Sequence, residues 1–408
     1  MKNLIIAQSG GPTVAINASL AGVLEQNKTN KTFETIYGSL NGITGILDQR
    51  FLNLTEKCEK DEDFITNLKY TPAMYLGSCR FRVPTEADDP TFYENVFRIF
   101  EEKNVGAFFY IGGNDSMDTV AKLSAYAAKH EIDINIIGIP KTIDNDLVHI
   151  DHTPGFGSAA KYVATTMLEI AHDTYIYHLK SVTIVEIMGR DAGWLTAASA
   201  LARNEYSAAP DFIYLPEKAF NLEKCISDTR ALLEKKDNVI IALSEGVRDK
   251  EGNYISASDK TTDNFGHVML SGAAKYLETV LHEALGVKTR GIELNIIQRA
   301  AAHIASETDL CESMNLGAKA VSLYAEQKTG VMVTLTRTSD CPYNVTYGCH
   351  DVSEIANFVK SVPDDFINEE GNDITEKMLE YLRPLIIGEP KQTYKNGLPV
   401  YLNTSHLI

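Results

Sequence analysis

The chain has no apolar run approaching membrane-spanning length, no CxxC pair among its six cysteines and no excess of positive charge. Each absence removes a class of protein. A spanning helix needs about 20 apolar residues. The opening MKNLIIAQSGG carries one lysine and an apolar run shorter than the roughly 7 to 15 residues of a signal-peptide core. The expectation is therefore a cytoplasmic protein with no membrane partner. Cys58, Cys79, Cys225, Cys311, Cys341 and Cys349 are scattered through 408 residues, too long a chain to need stapling, and are expected to be free thiols. With 55 acidic against 38 basic side chains the formal net charge is −17. That argues against nucleic acid or anionic membrane as a partner, since both require a basic face. An anionic small molecule stays open if cations cluster locally.

Also missing are a GxxxxGK[ST] P-loop, the protein-kinase motif set, and an HExxH or other paired spacing among the ten histidines, so spacing points to no zinc site. GFGSAA from Gly155 fits GxGxxA, but it follows HTP rather than a strand pattern and is not read as a dinucleotide fingerprint. His149 and His152 are read as structural. No repeat, low-complexity tract or Gly/Ser linker divides the chain.

What is present is alternation. Short apolar runs, NLIIA from Asn3, GAFFYIGG from Gly106, INIIGIP from Ile134, SVTIVEIMG from Ser181, NVIIALSEG from Asn238 and GVMVTLT from Gly330, are separated by helical lengths. Such runs suit strands buried on both faces, and the class is α/β with mainly parallel sheets. The length suits two domains, with the switch near residue 160. From about Ile374 the chain reads as a helix followed by a docked, irregular tail.

Three turns carry chemistry. After the first run, Gly10 and Gly11 allow a sharp turn into a helix whose N-terminus can face an anion, although a plain βα turn also favours glycine. IGGNDSMDTVAKL repeats the arrangement, with Gly112, Gly113, Asn114, Asp115 and Ser116 between strand and helix. GIPKTIDNDL sets Lys141, Thr142, Asp144 and Asp146 directly after a buried strand, where open α/β sheets place their ligands. One carboxylate can take a proton from a hydroxyl while the other holds magnesium; the bland alternative is an Asx-rich turn. Downstream, Met188, Gly189 and Arg190, then Glu245, then Arg290 and Arg299 fall near the ends of further runs, where arginines grip phosphate and a carboxylate accepts from hydroxyls.

In series, GG, GGNDS, PKTIDND, MGR, SEG and QR resemble the phosphofructokinase family, specifically its pyrophosphate-dependent branch, over about residues 1 to 340. The resemblance implies two α/β domains with the active site between them. A phosphoryl-donor domain would span 1–160, completed by part of 300–360; a fructose 6-phosphate domain would span 161–299; the C-terminal helix and tail would span 361–408. It implies Asp144 as the base for the sugar 1-hydroxyl, Thr142 and Lys141 at the reacting groups, and Mg2+ held by Asp146 with Asn114 and Asp115 nearby. Gly11, Arg80, Gly113, Asp115, Ser116 and Lys141 would meet pyrophosphate. Met188, Gly189, Arg190, Glu245 and Arg299 would meet the sugar phosphate, with Arg290 donated by a neighbouring subunit of a homodimer or homotetramer. An ATP-dependent enzyme or a non-catalytic sugar-phosphate binder are the alternatives; the intact Asp144, Thr142 and Asp146 speak against the last.

Five positions, in four departures, differ from the family pattern. Asn114 replaces the usual acid, Ala300 and Ala301 replace glycines after QR, Ile296 replaces a histidine, and Lys180 sits one position from an expected basic residue. In ATP-using relatives glycines occupy the positions of Asp115 and Lys141. Here a carboxylate would obstruct a nucleotide while the lysine compensates a shorter donor. Lys141, Arg80, Arg190, Arg290 and Arg299 would together make a cationic cleft in an acidic protein.

Overall fold

All six apolar runs are interior strands of two sheets, which is why they carry no alternation of polarity. The computed structural model describes residues 1–255 and 272–407. The first sheet contains β1 (Asn3–Gln8), β2 (Ile36–Ser39), β3 (Phe51–Asn53), β4 (Val105–Gly112) and β5 (Asn135–Pro140). The second contains β6 (Ser181–Ile187), β7 (Phe212–Tyr214), β8 (Asn238–Ser244) and β9 (Lys288–Glu293). The chain then returns to the first sheet with β10 (Val331–Asp340) and β11 (Tyr343–Asp351).

The first sheet has the order β11-β10-β5-β4-β1-β2-β3, parallel except for its outermost strands β3 and β11. The second, β7-β8-β6-β9, is wholly parallel. β4, β5 and β8 are buried along their whole length. The strands that the apolar pattern did not reveal, β2, β3, β7, β9 and β11, are short or of mixed polarity, and all but β2 lie at an edge.

The strand order reverses between β1 and β4, so the two glycine turns that follow them flank a switch point, the place where such sheets leave a crevice. One large core wraps the first sheet, and a second joins β6 and β8 to the helix Phe156–Tyr175 and the helix Glu376–Leu382. Beyond Leu382 the tail crosses back: Leu402 N donates to Thr71 Oγ1 at 2.9 Å, and His406 Nε2 lies 2.7 Å from the Tyr75 carbonyl. Gly155 at the head of the helix Phe156–Tyr175 binds no dinucleotide phosphate in this arrangement. Its amide and that of Ser158 are taken by the buried Asp309 carboxylate at 2.9 and 3.0 Å.

Among the described residues no helix is long and apolar enough to cross a membrane.

Candidate active site

The turns after β1, β4 and β5 converge because parallel strands end on the same side. Lys141, directly after β5, is 2 % exposed and donates through Nζ to the Gly11 carbonyl at 2.7 Å, while its own amide donates to the Gly112 carbonyl at 2.9 Å. Ser9 and Ser116 join the other two turns, hydroxyl to hydroxyl, at 2.5 Å. Thr142 Oγ1 accepts from the Asp144 amide at 3.1 Å and so fixes the bend that presents both aspartates.

The second sheet contributes from the opposite side. Met188, Gly189 and Arg190 follow β6; the Met188 amide donates to Gln298 Oε1 and the Gly189 amide to Glu245 Oε1, both at 3.2 Å. Gly189 has φ 133°, a conformation costly for any side chain, and a Cβ on Gly246 would lie 1.8 Å from the Arg190 carbonyl. Glycine is therefore required in both MGR and SEG for the two turns to approach. Arg299 ends a short 3-10 helix, Asn295–Arg299, after β9, and a Cβ placed on Gly11 would lie 3.2 Å from its Nη1. The carboxyl ends of the two sheets thus face one another across one cleft.

Electrostatics follow from that convergence. Burial raises the Asp144 carboxyl; Asp146 and Glu245 push the same way, and Lys141 and Arg190 oppose them. Burial likewise raises Asp146 and Glu245. Lys141 is driven down to about 8 by burial, against the pull of Asp144 and Asp146. Arg299 feels Asp144 and Glu245 as attraction and Arg80 as repulsion. The buried Nε atoms of Arg190 and Arg299 have no hydrogen-bond partner among the described residues, as befits side chains that await an anion. Asp146 Oδ1 is buried and likewise unpartnered, and a hard carboxylate oxygen in that state fits Mg2+.

Not every expected residue joins the cleft. Arg290 lies in the body of β9, paired in register with Thr183 rather than at the strand end, and its Nη1 meets Asp173 Oδ2 at 3.2 Å on the surface. Exposed Ile176, Tyr177 and Leu179 are near neighbours of Asp173 in sequence. Asn114 has both ends of its carboxamide committed: Oδ1 accepts from the Asn357 amide and Nδ2 donates to the Phe358 carbonyl, each at 2.6 Å. These bonds tie the head of the helix Asn114–Lys129 to the segment at residues 357 and 358. Asp115 is exposed in the first turn of the helix Asn114–Lys129. His152 is structural, buried between Asp151 Oδ1 and Glu312 Oε2 at 2.7 Å each, but His149 is exposed and stacks on His350, which corrects its reading as a structural histidine.

Sequence reasoning missed Lys360, Asn145 and Tyr381. Asn145, between the two aspartates, accepts from the Thr153 amide at 3.0 Å and donates to the Tyr381 hydroxyl at 2.9 Å. Lys360 and Tyr381 lie far downstream in segments with no motif, so no local signal marked them.

Two facing α/β sheets whose carboxyl ends share half-buried aspartates, a buried lysine, and two arginines whose Nε atoms have no partner among the described residues define a phosphotransferase of the two-lobed kind. The chain belongs to the phosphofructokinase family: residues 3–324 match that family. It is 38% identical over 400 residues, 97% of this chain and 94% of the relative, to the pyrophosphate--fructose 6-phosphate 1-phosphotransferase of Halomonas elongata. It is 36% identical over 404 residues, 98% and 95% of the two chains, to the enzyme of the same name from Methylococcus capsulatus. The crystal structure of a pyrophosphate-dependent phosphofructokinase from Nitrosospira multiformis matches with a TM-score of 0.88 at 36% identity, covering 98% of this chain and 96% of that one.

Proposed function

We propose that the cleft transfers the terminal phosphoryl group of pyrophosphate to the 1-hydroxyl of fructose 6-phosphate, reversibly, giving fructose 1,6-bisphosphate and phosphate. The observation that carries this reading is the position of Asp144: it follows a strand of the first sheet yet interacts with Arg190 and Glu245 of the second. A base at the junction can accept the proton of O1 as O1 bonds to phosphorus and the bridging P–O bond breaks, with phosphate leaving toward the glycine turns.

On this reading Gly11, Gly113, Ser116, Lys141 and Arg80 bind the donor. Met188, Gly189, Arg190, Glu245 and Arg299 bind the sugar phosphate. Thr142 holds the turn and Lys141 offsets charge on the donor. Asp146 would hold Mg2+, with Asp115 as a helper from the helix start; when bound, the ion neutralises developing charge on the transferred group. Four cations, Lys141, Arg80, Arg190 and Arg299, against three carboxylates, Asp144, Asp146 and Glu245, leave a cationic cleft for anionic substrates. The exposed Arg290, with apolar Ile176, Tyr177 and Leu179 on the same outer surface, supports a symmetric homo-oligomer in which this arginine reaches a neighbour's sugar-phosphate site. Six free thiols suit a cytoplasmic setting.

The deciding experiment supplies purified chain with fructose 6-phosphate and Mg2+ and compares pyrophosphate with ATP. Turnover with pyrophosphate and little with ATP is expected. A preference for ATP overturns the donor assignment, and binding without turnover overturns catalysis.

A further inference from the structure

The histidine spacing in the sequence points to no transition-metal site, but the fold brings together two histidines about 200 residues apart. We propose that His149, His350 and Glu354 bind a divalent transition ion of the zinc class, at a place separate from the aspartates of the cleft.

His149 lies in the loop after β5, His350 near the end of β11, and Glu354 in the single 3-10 turn Val352–Glu354. One ligand atom from each falls within 4.8 Å of the other two. His350 Nε2 and Glu354 Oε2 are 2.5 Å apart, and the imidazoles of His149 and His350 stack with centroids at 3.9 Å and planes at 14°. The His149 ring makes no hydrogen bond among the described residues, and its backbone is held at φ 59°, the left-handed region. The protein's own bonding therefore gives no account of why this side chain is set there. Two imidazole nitrogens with one carboxylate oxygen form a borderline donor set, which takes Zn2+, Co2+ or Ni2+ in preference to the oxygen-seeking Mg2+.

Ligand atoms around a tetrahedral Zn2+ stand roughly 3.3 Å apart, from metal–ligand distances of about 2.0 to 2.1 Å. To reach that spacing Glu354 must draw back from His350 Nε2 and the His149 ring must tilt off its stack so that a ring nitrogen faces the ion; both side chains are exposed. A cavity lined by Val148, His149, Ser353, Glu354 and Phe358 opens beside them and leaves a coordination position for water.

The placement ties two working segments together. His149 is three residues beyond Asp146, and Glu354 is three before Asn357, whose amide holds Asn114 at the head of the phosphate-turn helix. An ion here cross-links the aspartate loop to the segment that clasps that helix. It stabilises the folded chain by linkage without touching the reacting groups.

The test uses the full chain stripped with chelator and then held in excess Mg2+, so that oxygen-rich sites are filled. Zn2+ is titrated calorimetrically, Co2+ by its visible absorption, and melting temperature is measured with and without Zn2+. One ion per chain is expected, with a tetrahedral or five-coordinate Co2+ spectrum lacking thiolate charge-transfer bands and a rise in melting temperature. His149→Ala, His350→Ala and Glu354→Gln should each weaken the site about tenfold or more and abolish the rise, while Mg2+-dependent turnover is kept. Variants that bind Zn2+ like the parent overturn the proposal. So does a thiolate spectrum, which moves the ion to a cysteine, or a Zn2+-dependent change in oligomer size, which moves it between copies.

Discussion

The Lys360 backbone amide donates to the Asp146 carbonyl at 2.7 Å, so the turn that presents both aspartates is held from behind by a residue beyond the family-matched span. The Lys360 ammonium continues the hold, donating to the carbonyls of Asp151 and Ile150 at 2.8 and 3.2 Å and to Asn145 Oδ1 at 3.3 Å. Burial lowers its pKa to about 8, against the attraction of Asp151 and Asp146. Lys360→Met should leave the Ile150 carbonyl without its donor, at a cost of about 1 to 3 kcal/mol, while the Asp151 carbonyl keeps the Tyr381 hydroxyl and Asn145 Oδ1 keeps the Thr153 amide. Denaturant unfolding should register the loss, and kcat should fall more than KM for the sugar phosphate rises. Unchanged stability and kcat would mean that the turn holds itself.

What the sequence disclosed and what it hid divide along physical lines. Interior strands were legible because burial on both faces leaves continuous apolar runs, as in β4 and β8; β9 reads KTRGIE and β11 YNVTYGCHD, edge strands with one face in solvent and hence no clean pattern. The cleft was legible at its turns, because glycines and paired aspartates must sit there by spacing. Its supports were not. Lys360, Tyr381 and Asp309 act over separations of more than a hundred residues, and nothing in their local sequence requires it.

If Asp144 is the base, as proposed, Asp144→Asn should lower kcat about 10²- to 10⁴-fold with fructose 6-phosphate binding largely kept. The loss should appear in both directions, since the same group returns the proton when fructose 1,6-bisphosphate meets phosphate. Steady-state rates in each direction, with a separate binding measurement, decide it; near-native turnover either way removes Asp144 as the base.

His152 should make stability depend on pH with a definite sign. Its pKa is raised from 6.5: burial opposes the charge, but hydrogen bonds to Asp151 and Glu312 outweigh it. Arg337 also pairs with Asp151, and the Tyr343 hydroxyl donates to Glu312. A histidine bound more tightly to its proton in the folded state stabilises fully below its unfolded value, and that contribution is lost as pH rises through the folded value. The melting-temperature gap between the parent and His152→Gln should therefore be larger at about pH 6 than at about pH 9. A gap that widens with pH would mean the ring is neutral in the fold.

Arg290 stands outside its own cleft, with Nη1 on Asp173 at the surface. If a neighbour's site uses it, Arg290→Ala and Asp144→Ala chains, each inactive alone, should regain activity once subunits exchange, because a mixed dimer contains one site with both side chains native. Activity is measured after exchange has been verified by mass. A mixture as inactive as its parents would place Arg290 in a purely structural surface pair.

The proposal that Lys141 and Asp115 choose the donor can be tested at each position, because the fold sets the two side chains in different surroundings. Lys141 is buried, bonded to Gly11 and set against Asp144, Asp146 and Arg299; Asp115 is exposed at the first turn of its helix. Lys141→Gly should weaken pyrophosphate use by ten- to more than a hundredfold, since a charge-assisted contact is worth about 1.5 to 3 kcal/mol. It should gain little with ATP while the Asp115 carboxylate still stands where a longer donor must pass. Asp115→Gly alone removes an exposed side chain, so the fold should tolerate it apart from the helix-propensity cost of glycine, about 1 kcal/mol or less at a first turn, and its effect on Mg2+ dependence is followed beside it. The double variant should then accept ATP measurably, and not additively if both positions border the same phosphate. The quantity to follow is the ratio of kcat/KM for ATP to that for pyrophosphate across the four proteins. A ratio that does not move in the double variant would leave Asp115 an ordinary acid at a helix start, favourable to the helix dipole and indifferent to the donor.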